Sequence, residues 1–201
     1  MLFIVTGPSG CGKSSLVGRI IEEIAGIEFS VSFTTRKKRD TEKEGKDYYF
    51  ISNEEFERMI KEKKFIEWAV VHGPYYGTSR REVEKKGIHK DLILDIDVQG
   101  AQKLRSEIKK AVFIFILPPS YQALKNRLIK RGQESIDSIE NRLEVAKKEI
   151  RYYSQFDYIV LNDKFEEAVV YLKSIILSTR CRRDIQIKNI LPILRSFLEG
   201  E

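Results

Sequence analysis

The chain has 201 residues, of which 42% are hydrophobic and 33% are charged, and its formal net charge is +6. This length and composition fit one globular unit with a sizeable core and exclude a disordered chain. The apolar runs are too short to cross a bilayer, so we expect no transmembrane segment, no signal peptide and no membrane partner. Two cysteines, Cys11 and Cys181, provide no disulfide framework, which indicates a reducing, cytoplasmic setting.

The first predicted elements are a buried strand over residues 2–6 and an amphipathic helix that ends near Gly26. Between them lies the segment Gly7-Pro8-Ser9-Gly10-Cys11-Gly12-Lys13-Ser14, which matches the phosphate-binding pattern G-x-x-x-x-G-K-[ST]. Its glycines let backbone N–H groups point at phosphate oxygens, and the helix N-terminus adds partial positive charge. Lys13 is expected to reach the outer phosphates and the Ser14 hydroxyl to bind Mg²⁺. A chance glycine-rich turn is the alternative, and the flanking strand and helix argue against it.

Short elements of mixed character are predicted next. In chain order they are a strand at 27–33, a polar loop at 34–47, a strand at 48–51, a helix from 53, a strand at 65–71, a turn at 73–77 and a helix ending at Gly87. Capping boxes, Ser52 with Glu55 and Ser79 with Glu82, mark the two helix starts. Residues 34–87 therefore differ from the surrounding core, and we interpret them as an inserted substrate lobe.

From residue 91 onward, apolar strands alternate with amphipathic helices. The predicted strands are 91–96, 111–117 and 157–161, and the predicted helices are 98–109, 120–131, a helix from about 139 to 153, and 164–181. Together with the strands at 2–6 and 27–33, they predict an α/β fold with a five-stranded parallel sheet covered on both faces. Ligands bind such sheets at the carboxyl ends of the strands. Asp95 lies at one such end and is expected to hold Mg²⁺ through water, with a helix N-cap as the alternative.

The last residues, 184–201, carry an apolar stripe at helical spacing. Its members are Ile190, Leu191, Leu194, Phe197 and Leu198. Such a stripe docks on its own core or pairs with another chain. We favour docking and keep a homodimer as the alternative, so the expected state is a monomer or a homodimer.

Much of the positive charge lies in two runs, Arg36-Lys37-Lys38-Arg39 and residues 125–131. A basic protein binds nucleic acid, nucleotides or acidic membranes, although a single basic run is most often a solvated face. Both runs flank the phosphate-binding segment. We therefore expect small phosphorylated ligands, and no nucleic acid, as partners.

Taken in order, the motifs resemble those of guanylate kinases over most of residues 1–170. Beyond the phosphate loop, the matching segments are Phe29-Ser30-Val31-Ser32, Thr34-Thr35-Arg36, Gly45-Lys46-Asp47-Tyr48, Phe65-Ile66-Glu67-Trp68, Tyr75-Tyr76-Gly77 and the run from Ile93 to Gly100. The resemblance implies a P-loop NTPase core (1–33, 88–124 and 149–201), an inserted GMP-binding lobe (34–87) and a lid (125–148). It implies transfer of the γ-phosphate of MgATP to GMP, with dGMP as a further acceptor, giving ADP and GDP.

The resemblance also implies roles for individual residues. Those on the ATP side are Gly7, Pro8, Ser9, Gly10, Cys11, Gly12, Lys13, Ser14, Ser15, Asn162 and Asp163. Those on the GMP side are Ser32, Arg36, Arg39, Tyr48, Glu67, Tyr76, Thr78 and Asp97. Charge stabilisation during transfer falls to Lys13, Arg127, Arg131 and Arg142, and Mg²⁺ binding falls to Ser14 and Asp95. The alternative for Arg127 is an ordinary surface arginine of a helix.

Glu67 is expected to select guanine. An ionised carboxylate only accepts hydrogen bonds, so its two oxygens can take the N1–H and N2–H₂ donors of guanine. Adenine offers an acceptor at N1 and no N2 amine, which would leave the carboxylate unpaired. Thr78 is expected to add a hydroxyl donor toward guanine O6. The alternative is that Glu67 is a solvated residue at a sheet edge.

Two other functions fit parts of the pattern. Guanylate-kinase-like domains in scaffolding proteins bind phosphorylated peptides without catalysis, but they usually lack an intact phosphate loop, and here Lys13, Ser14 and Asp95 are all present. Another nucleoside or sugar-phosphate kinase would share the core. Glu67 and the arginine-bearing loop argue against that alternative.

Overall fold

The structure, a computed structural model, describes residues 1–71, 73–87, 90–130 and 136–198. Its strands are β1 (Leu2–Thr6), β2 (Ile27–Phe29), β3 (Ser32–Thr34), β4 (Tyr48–Phe50), β5 (Phe65–Val70), β6 (Tyr75–Ser79), β7 (Asp91–Asp95), β8 (Ala111–Leu117) and β9 (Tyr158–Leu161). Its helices are α1 (Lys13–Glu23), α2 (Asn53–Lys61), α3 (Arg80–Gly87), α4 (Val98–Glu107), α5 (Tyr121–Lys130), α6 (Ile136–Ile150), α7 (Phe165–Arg180) and α8 (Arg183–Leu198).

Five strands form a parallel sheet in the order β2-β7-β1-β8-β9. Strands of such a sheet are buried on both faces and therefore need nearly continuous apolar runs, as in β8, where residues 112–116 are all buried. Phe3 and Val5 of β1 belong to the apolar cluster under α1 and α7. Ile4 belongs to a second cluster on the opposite face, which α4 covers. The predicted α/β fold with a five-stranded parallel sheet is confirmed.

The predicted strand at 27–33 is wrong, because it is two strands in two different sheets. The Ser30 N–H donates to the Ile93 oxygen at 2.9 Å, the last backbone bond to β7 before the chain leaves the core sheet. Residues 32–34 then pair in parallel with β4 and antiparallel with β6. The apolar pattern runs through the crossing, so it carries no sign of the change of sheet.

The predicted turn at 73–77 is also wrong beyond its first residues. The turn itself is tight, since the Val71 N–H donates to the Pro74 oxygen at 2.9 Å. Residues 75–79 then form β6, which is paired on one side with β5 and on the other with β3. Pairing on both sides satisfies the backbone of this strand and outweighs the local turn preference of its Gly77.

The second sheet, in the order β4-β3-β6-β5, has its own apolar cluster with α2. The Phe56 ring stacks on Phe65 at 4.4 Å and on Tyr75 at 5.1 Å between ring centroids. Both predicted capping serines accept hydrogen bonds from the predicted partners, Ser52 from the Glu55 N–H at 3.1 Å and Ser79 from the Glu82 N–H at 3.4 Å. This part of the chain thus carries a small core of its own beside the main sheet.

Helices α5 and α6 pack against each other and cover the phosphate-binding segment. Their shared apolar cluster consists of Leu124, Leu128, Ile139, Leu143 and Ala146. Leu128 approaches Gly10 so closely that a Cβ at Gly10 would lie 2.8 Å from its Cδ2. The basic run of residues 125–131 therefore begins on a helix that touches the phosphate loop.

The favoured docking of the last helix on the core is not observed. None of residues 183–198 is buried, and Phe197 and Leu198 are 83% and 81% exposed. The apolar stripe of α8 thus remains on the surface in the single chain. Within the described ranges, no helix is both long and apolar enough to cross a membrane.

Candidate active site

A cleft of about 880 Å³ lies at the carboxyl end of the parallel sheet, between the phosphate loop and the second sheet. The predicted site residues that line it are Gly7, Ser9, Gly10, Gly12, Lys13, Ser14, Ser32, Arg36, Arg39, Tyr48, Glu67, Tyr76, Asp95, Asp97 and Arg142. Outside this lining lie Pro8, Cys11, Ser15, Thr78, Arg127, Asn162 and Asp163. Arg131 falls outside the described residues.

The phosphate loop connects β1 to α1 and is held tightly at two glycines. Gly7 has a φ of +144°, and a Cβ there would lie 2.3 Å from the Ile116 oxygen at the end of β8. Gly12 has a φ of +98°, and a Cβ there would lie 2.3 Å from Nδ2 of Asn162. Both positions therefore require glycine for conformation and for space.

Asn162 and Arg127 hold the loop from behind. Nδ2 of Asn162 donates to the Cys11 oxygen at 2.7 Å, and Arg127 donates to the Asn162 oxygen at 2.8 Å and to the Cys11 oxygen at 3.4 Å. Arg127 was expected to stabilise charge, or else to be a simple surface residue. Its contacts instead tie α5 to the backbone of the phosphate loop. Burial raises the pKa of the Cys11 thiol, so this side chain packs as a neutral group.

Ser14 and Asp95 meet across the end of β7. The Ser14 hydroxyl donates to Oδ2 of Asp95 at 2.9 Å, so the two predicted metal ligands lie side by side. Mg²⁺ usually takes one or two carboxylates and completes its shell with water and substrate phosphates, and this pair fits that preference. The N-cap of α4 is Asp97, whose carboxylate accepts from the Gly100 N–H at 2.8 Å, and not Asp95.

Lys13 is surrounded by negative charge. Its ammonium donates to the Gly7 oxygen at 2.7 Å. Desolvation lowers the pKa of this group, but the nearby titratable groups, first Cys11 and then Asp95 and Glu149, outweigh it and raise the pKa above its ordinary value. Glu149 lies on α6 and lines the cleft; burial raises its pKa to about 7, with Lys13 acting in the opposite sense. Lys13 therefore carries a full positive charge toward the cleft.

Arg36 lies in the middle of the contacts of the basic loop, and the acidic residue Glu42 binds it. Glu42 accepts from Nη1 of Arg36 at 2.9 Å and from Nη2 at 2.7 Å, a two-pronged pair of the kind that arginine forms with carboxylate and phosphate. The Nε–H of Arg36 donates to the Tyr76 hydroxyl at 3.2 Å. The Arg39 N–H also donates to Glu42, at 2.8 Å, and the Arg36 guanidinium lies 5.4 Å from the Tyr48 ring. Four predicted site residues are thus linked through the Arg36–Glu42 pair: Arg36 and Arg39 contact Glu42, and Tyr48 and Tyr76 contact Arg36.

Glu67 is buried, with 5% of its surface exposed, so it is not a solvated edge residue. It lies opposite Thr78 in the β5–β6 pair, next to an irregularity in the register after Phe65. The Thr78 hydroxyl donates to Oε1 of Glu67 at 2.5 Å, and Ser32 Oγ lies 3.4 Å from the Thr78 oxygen. Burial raises the pKa of Glu67 to about 7. The single Thr78 proton is directed at Glu67, and not toward the cleft as expected.

Arg142, on α6, reaches the phosphate loop. Its Nη1 donates to the Ser9 hydroxyl at 3.2 Å. Of the three predicted lid arginines, Arg142 lines the cleft and Arg127 holds the loop from outside it. A guanidinium from α6 therefore stands beside the backbone N–H groups that bind phosphate.

Two acidic residues were missed by the sequence analysis. Glu42 is an acidic residue within a basic loop, three positions after Arg39 and six after Arg36, and this spacing was the available signal. Glu149 lies in a helix that carries other glutamates and lysines, so its sequence offers no signal. Only the approach of α6 to the phosphate loop identifies it.

The features of this cleft define a class of protein. A phosphate loop with a hydroxyl–carboxylate pair faces an arginine–tyrosine pocket across one cleft, so two phosphate-bearing ligands can meet there. The fold and this site define a P-loop phosphotransferase.

Comparison with known proteins identifies the family. A sequence model of the family described as guanylate kinase matches residues 1–179. A guanylate kinase of Geobacter metallireducens is 49% identical over 185 residues, covering 90% of each chain, and one of Coxiella burnetii is 44% identical over 201 residues, covering 100% of this chain and 98% of the other. A crystal structure of guanylate kinase from Anaplasma phagocytophilum superposes with a TM-score of 0.75 at 33% identity, covering 90% of this chain and 86% of that one. The chain belongs to the guanylate kinase family, and the predicted guanylate kinase function is confirmed.

Proposed function

We propose that this chain transfers the γ-phosphate of MgATP to GMP, and to dGMP, giving ADP and GDP or dGDP. The reaction serves purine nucleotide metabolism and GTP supply in the cytoplasm. One observation carries the proposal: the same cleft is lined by the phosphate loop, by the Arg36–Tyr76 pocket and by the buried carboxylate of Glu67. These are the parts that a donor triphosphate, an acceptor phosphate and a guanine base each need.

ATP would bind with its phosphates on the loop of residues 7–14. The backbone N–H groups and the N-terminus of α1 supply fixed positive dipoles, and Lys13 supplies a full charge. Ser14 and Asp95 would hold Mg²⁺, which when bound neutralises charge on the phosphates. Asn162, with Arg127, keeps the loop in shape, and Asp163 follows Asn162 at the adenine side. Phosphoryl transfer depends on positioning and charge more than on a dedicated base.

GMP would place its phosphate at Arg36, Arg39, Tyr48 and Tyr76. Arginine forks and tyrosine hydroxyls suit a phosphate dianion. Glu42 holds Arg36 by both terminal nitrogens and so fixes the direction of the fork before the substrate arrives. We assign Glu42 as a positioning residue of this pocket.

Guanine would be read by Glu67. Its carboxylate accepts the two adjacent donors of guanine, whereas adenine would leave a buried carboxylate facing a lone pair. A site that contains such a buried group discriminates strongly, because the penalty falls on the unpaired group of the enzyme. In this arrangement Thr78, which donates to Glu67, orients the carboxylate, and Ser32 and Asp97 line the same part of the cleft.

The first prediction concerns the positive charge that Lys13 places beside the phosphates. Lys13→Ala removes the ammonium that faces the phosphates, so we expect kcat to fall on the order of a hundredfold or more, as for other preorganised charge donors. Steady-state assays of ADP release with GMP measure this. Lys61→Ala, on the exposed surface of α2, is the control and should leave kcat unchanged. Near-normal turnover of Lys13→Ala would contradict the mechanism.

The second prediction concerns pH. Guanine needs the ionised carboxylate, and the pKa of Glu67 lies near 7, so protonation below this pH competes with GMP binding. We expect kcat/KM for GMP to fall as pH drops, approaching roughly tenfold per unit well below the pKa. The phosphate of GMP itself titrates near pH 6, so the Glu67→Gln enzyme is the control. Its pH profile of kcat/KM should keep the change caused by the GMP phosphate and lose the change near pH 7 caused by Glu67.

The same Glu67→Gln enzyme tests base selection. Its amide nitrogen presents donors where guanine needs an acceptor. We therefore expect a lower kcat/KM for GMP and a narrower gap between GMP and AMP. Unchanged values for both substrates would remove Glu67 as the residue that reads guanine.

The third prediction concerns the orientation of the Arg36 guanidinium. Glu42→Gln cannot accept from both Arg36 nitrogens, so Arg36 loses its fixed direction and must be ordered when GMP binds. We expect KM for GMP to rise about tenfold, the loss of roughly one charge-assisted hydrogen bond, with little change in kcat or in KM for ATP. Glu44→Gln, in the same loop, is the matched control, since the Glu44 carboxylate accepts from the Phe50 N–H at 3.2 Å. A lower KM for GMP would show that Glu42 competes with the phosphate instead.

The fourth prediction concerns assembly, for which we propose a homodimer in place of the docked monomer first favoured. The exposed stripe of α8 supports this, because Phe197, Leu198 and their apolar neighbours lie on the surface and such patches mark association sites. Sedimentation should give a dimer for the full chain and a monomer for a truncation that ends at Arg183. A monomeric full chain would reject the dimer.

A further inference from the structure

Gly100 occupies a place where its backbone does not require glycine. It lies in the first turn of α4, three residues after the N-cap Asp97, and it is not among the glycines with positive φ. Alanine is a better helix former than glycine. Local conformation therefore favours a larger residue here, and the reason for glycine lies in the surroundings.

The surroundings of Gly100 are the carboxylates of the base-reading part of the cleft. A Cβ at this position would lie 2.6 Å from Oε2 and 3.2 Å from Cδ of Glu67, and 3.0 Å from Oδ1 of Asp97. The first distance is shorter than any stable contact of carbon with oxygen, so one of the two groups would have to move. The helix backbone is held by its own hydrogen bonds, and the side chain of Glu67 is the part that can shift.

Glu67 has little freedom to shift without losing its orientation. Its other oxygen, Oε1, accepts from the Thr78 hydroxyl at 2.5 Å, and 5% of the residue is exposed. The carboxylate thus lies between Thr78 on one side and the bare Cα of Gly100 on the other. These two neighbours together determine where its two acceptor oxygens lie.

We propose that Gly100 is a specificity-determining position, whose missing side chain lets the Glu67 carboxylate lie against the first turn of α4 and so fixes its guanine-reading orientation. The inference rests on the proposed role of Glu67 as the residue that reads guanine. Gly100 is a positioning residue: it acts through Glu67 and makes no hydrogen bond to the base itself. A methyl group here moves the acceptor pair away from the two guanine donors.

The test is Gly100→Ala, with kcat/KM measured for GMP and AMP. A displacement of about 1 Å at a reacting or reading group can cost up to a hundredfold, so we expect a loss of roughly tenfold to a hundredfold for GMP, with a smaller loss for AMP. KM for ATP should not change. Ser174→Ala, at an exposed position of α7 outside the lining of the cleft, is the control and should leave these values unchanged.

A double-mutant cycle with Glu67→Ala shows whether the effect passes through Glu67. In the Glu67→Ala background the added methyl no longer meets the Glu67 carboxylate, and only its 3.0 Å approach to Oδ1 of Asp97 remains. Gly100→Ala should therefore have a much smaller further effect on kcat/KM for GMP than it has in the wild type. The same cycle is measured for thermal unfolding. The part of any destabilisation that comes from the Glu67 carboxylate should be lost when Glu67 is alanine, and the part that comes from Asp97 should remain. The destabilisation by Gly100→Ala should therefore be smaller in the Glu67→Ala background, which keeps the test valid if the single variant folds poorly.

Three results would overturn the inference. Unchanged discrimination in Gly100→Ala would show that the carboxylate does not depend on this space. Equal losses in the wild-type and Glu67→Ala backgrounds would show that the effect does not pass through Glu67. Unchanged discrimination in Glu67→Gln alone would reject the role of Glu67 itself, and this outcome is distinguishable because it needs no change at Gly100.

Discussion

The site depends on one constraint, the close fit of the phosphate loop between the ends of two strands. Gly7 and Gly12 have positive φ and leave no room for a Cβ beside β8 and Asn162. Backbone N–H groups can converge on a phosphate only in such a curled conformation, which most residues disfavour. The central place of β1 between β7 and β8 then brings Asp95 to the loop from one side. The position of β9 brings Asn162 to it from the other.

The cleft also has to keep its cations in place. Three cations in or beside the cleft are held by acidic or carbonyl partners: Arg36 by Glu42, Arg127 by backbone oxygens, and Lys13 by the Gly7 oxygen. Buried or half-buried charges without partners are costly, and an arginine fork without a partner has no fixed direction. The acidic residues of the cleft thus lower the cost of burying its cations and fix the direction of its arginine side chains. For this reason we count Glu42 as part of the proposed site together with the arginines.

The proposed base recognition depends on the buried carboxylate of Glu67, which the second sheet holds. The antiparallel pair β5–β6 sets Glu67 opposite Thr78, while α4 closes the site from the core side. Because Glu67 is buried, its ionisation is poised near neutral pH, and its position is sensitive to neighbours as small as a methyl group. Specificity here is a property of packing as well as of hydrogen bonding.

The sequence by itself determined the alternation of strands and helices, the phosphate loop, the capping boxes and the family motifs, because each of these depends on local spacing or local conformation. Only the tertiary structure showed that residues 27–33 divide between two sheets, that β6 replaces a predicted turn and that Asp97 caps α4. Only it revealed that α8 lies exposed, that Glu42 and Glu149 line the cleft and that Gly100 lies against Glu67. The division of residues 27–33, the pairing of β6 and the approach of Glu149 and Gly100 depend on contacts between segments far apart in the chain, and such pairings leave no periodic or compositional mark in the sequence. The Asp97 cap is a local contact, for which Asp95 was a competing candidate.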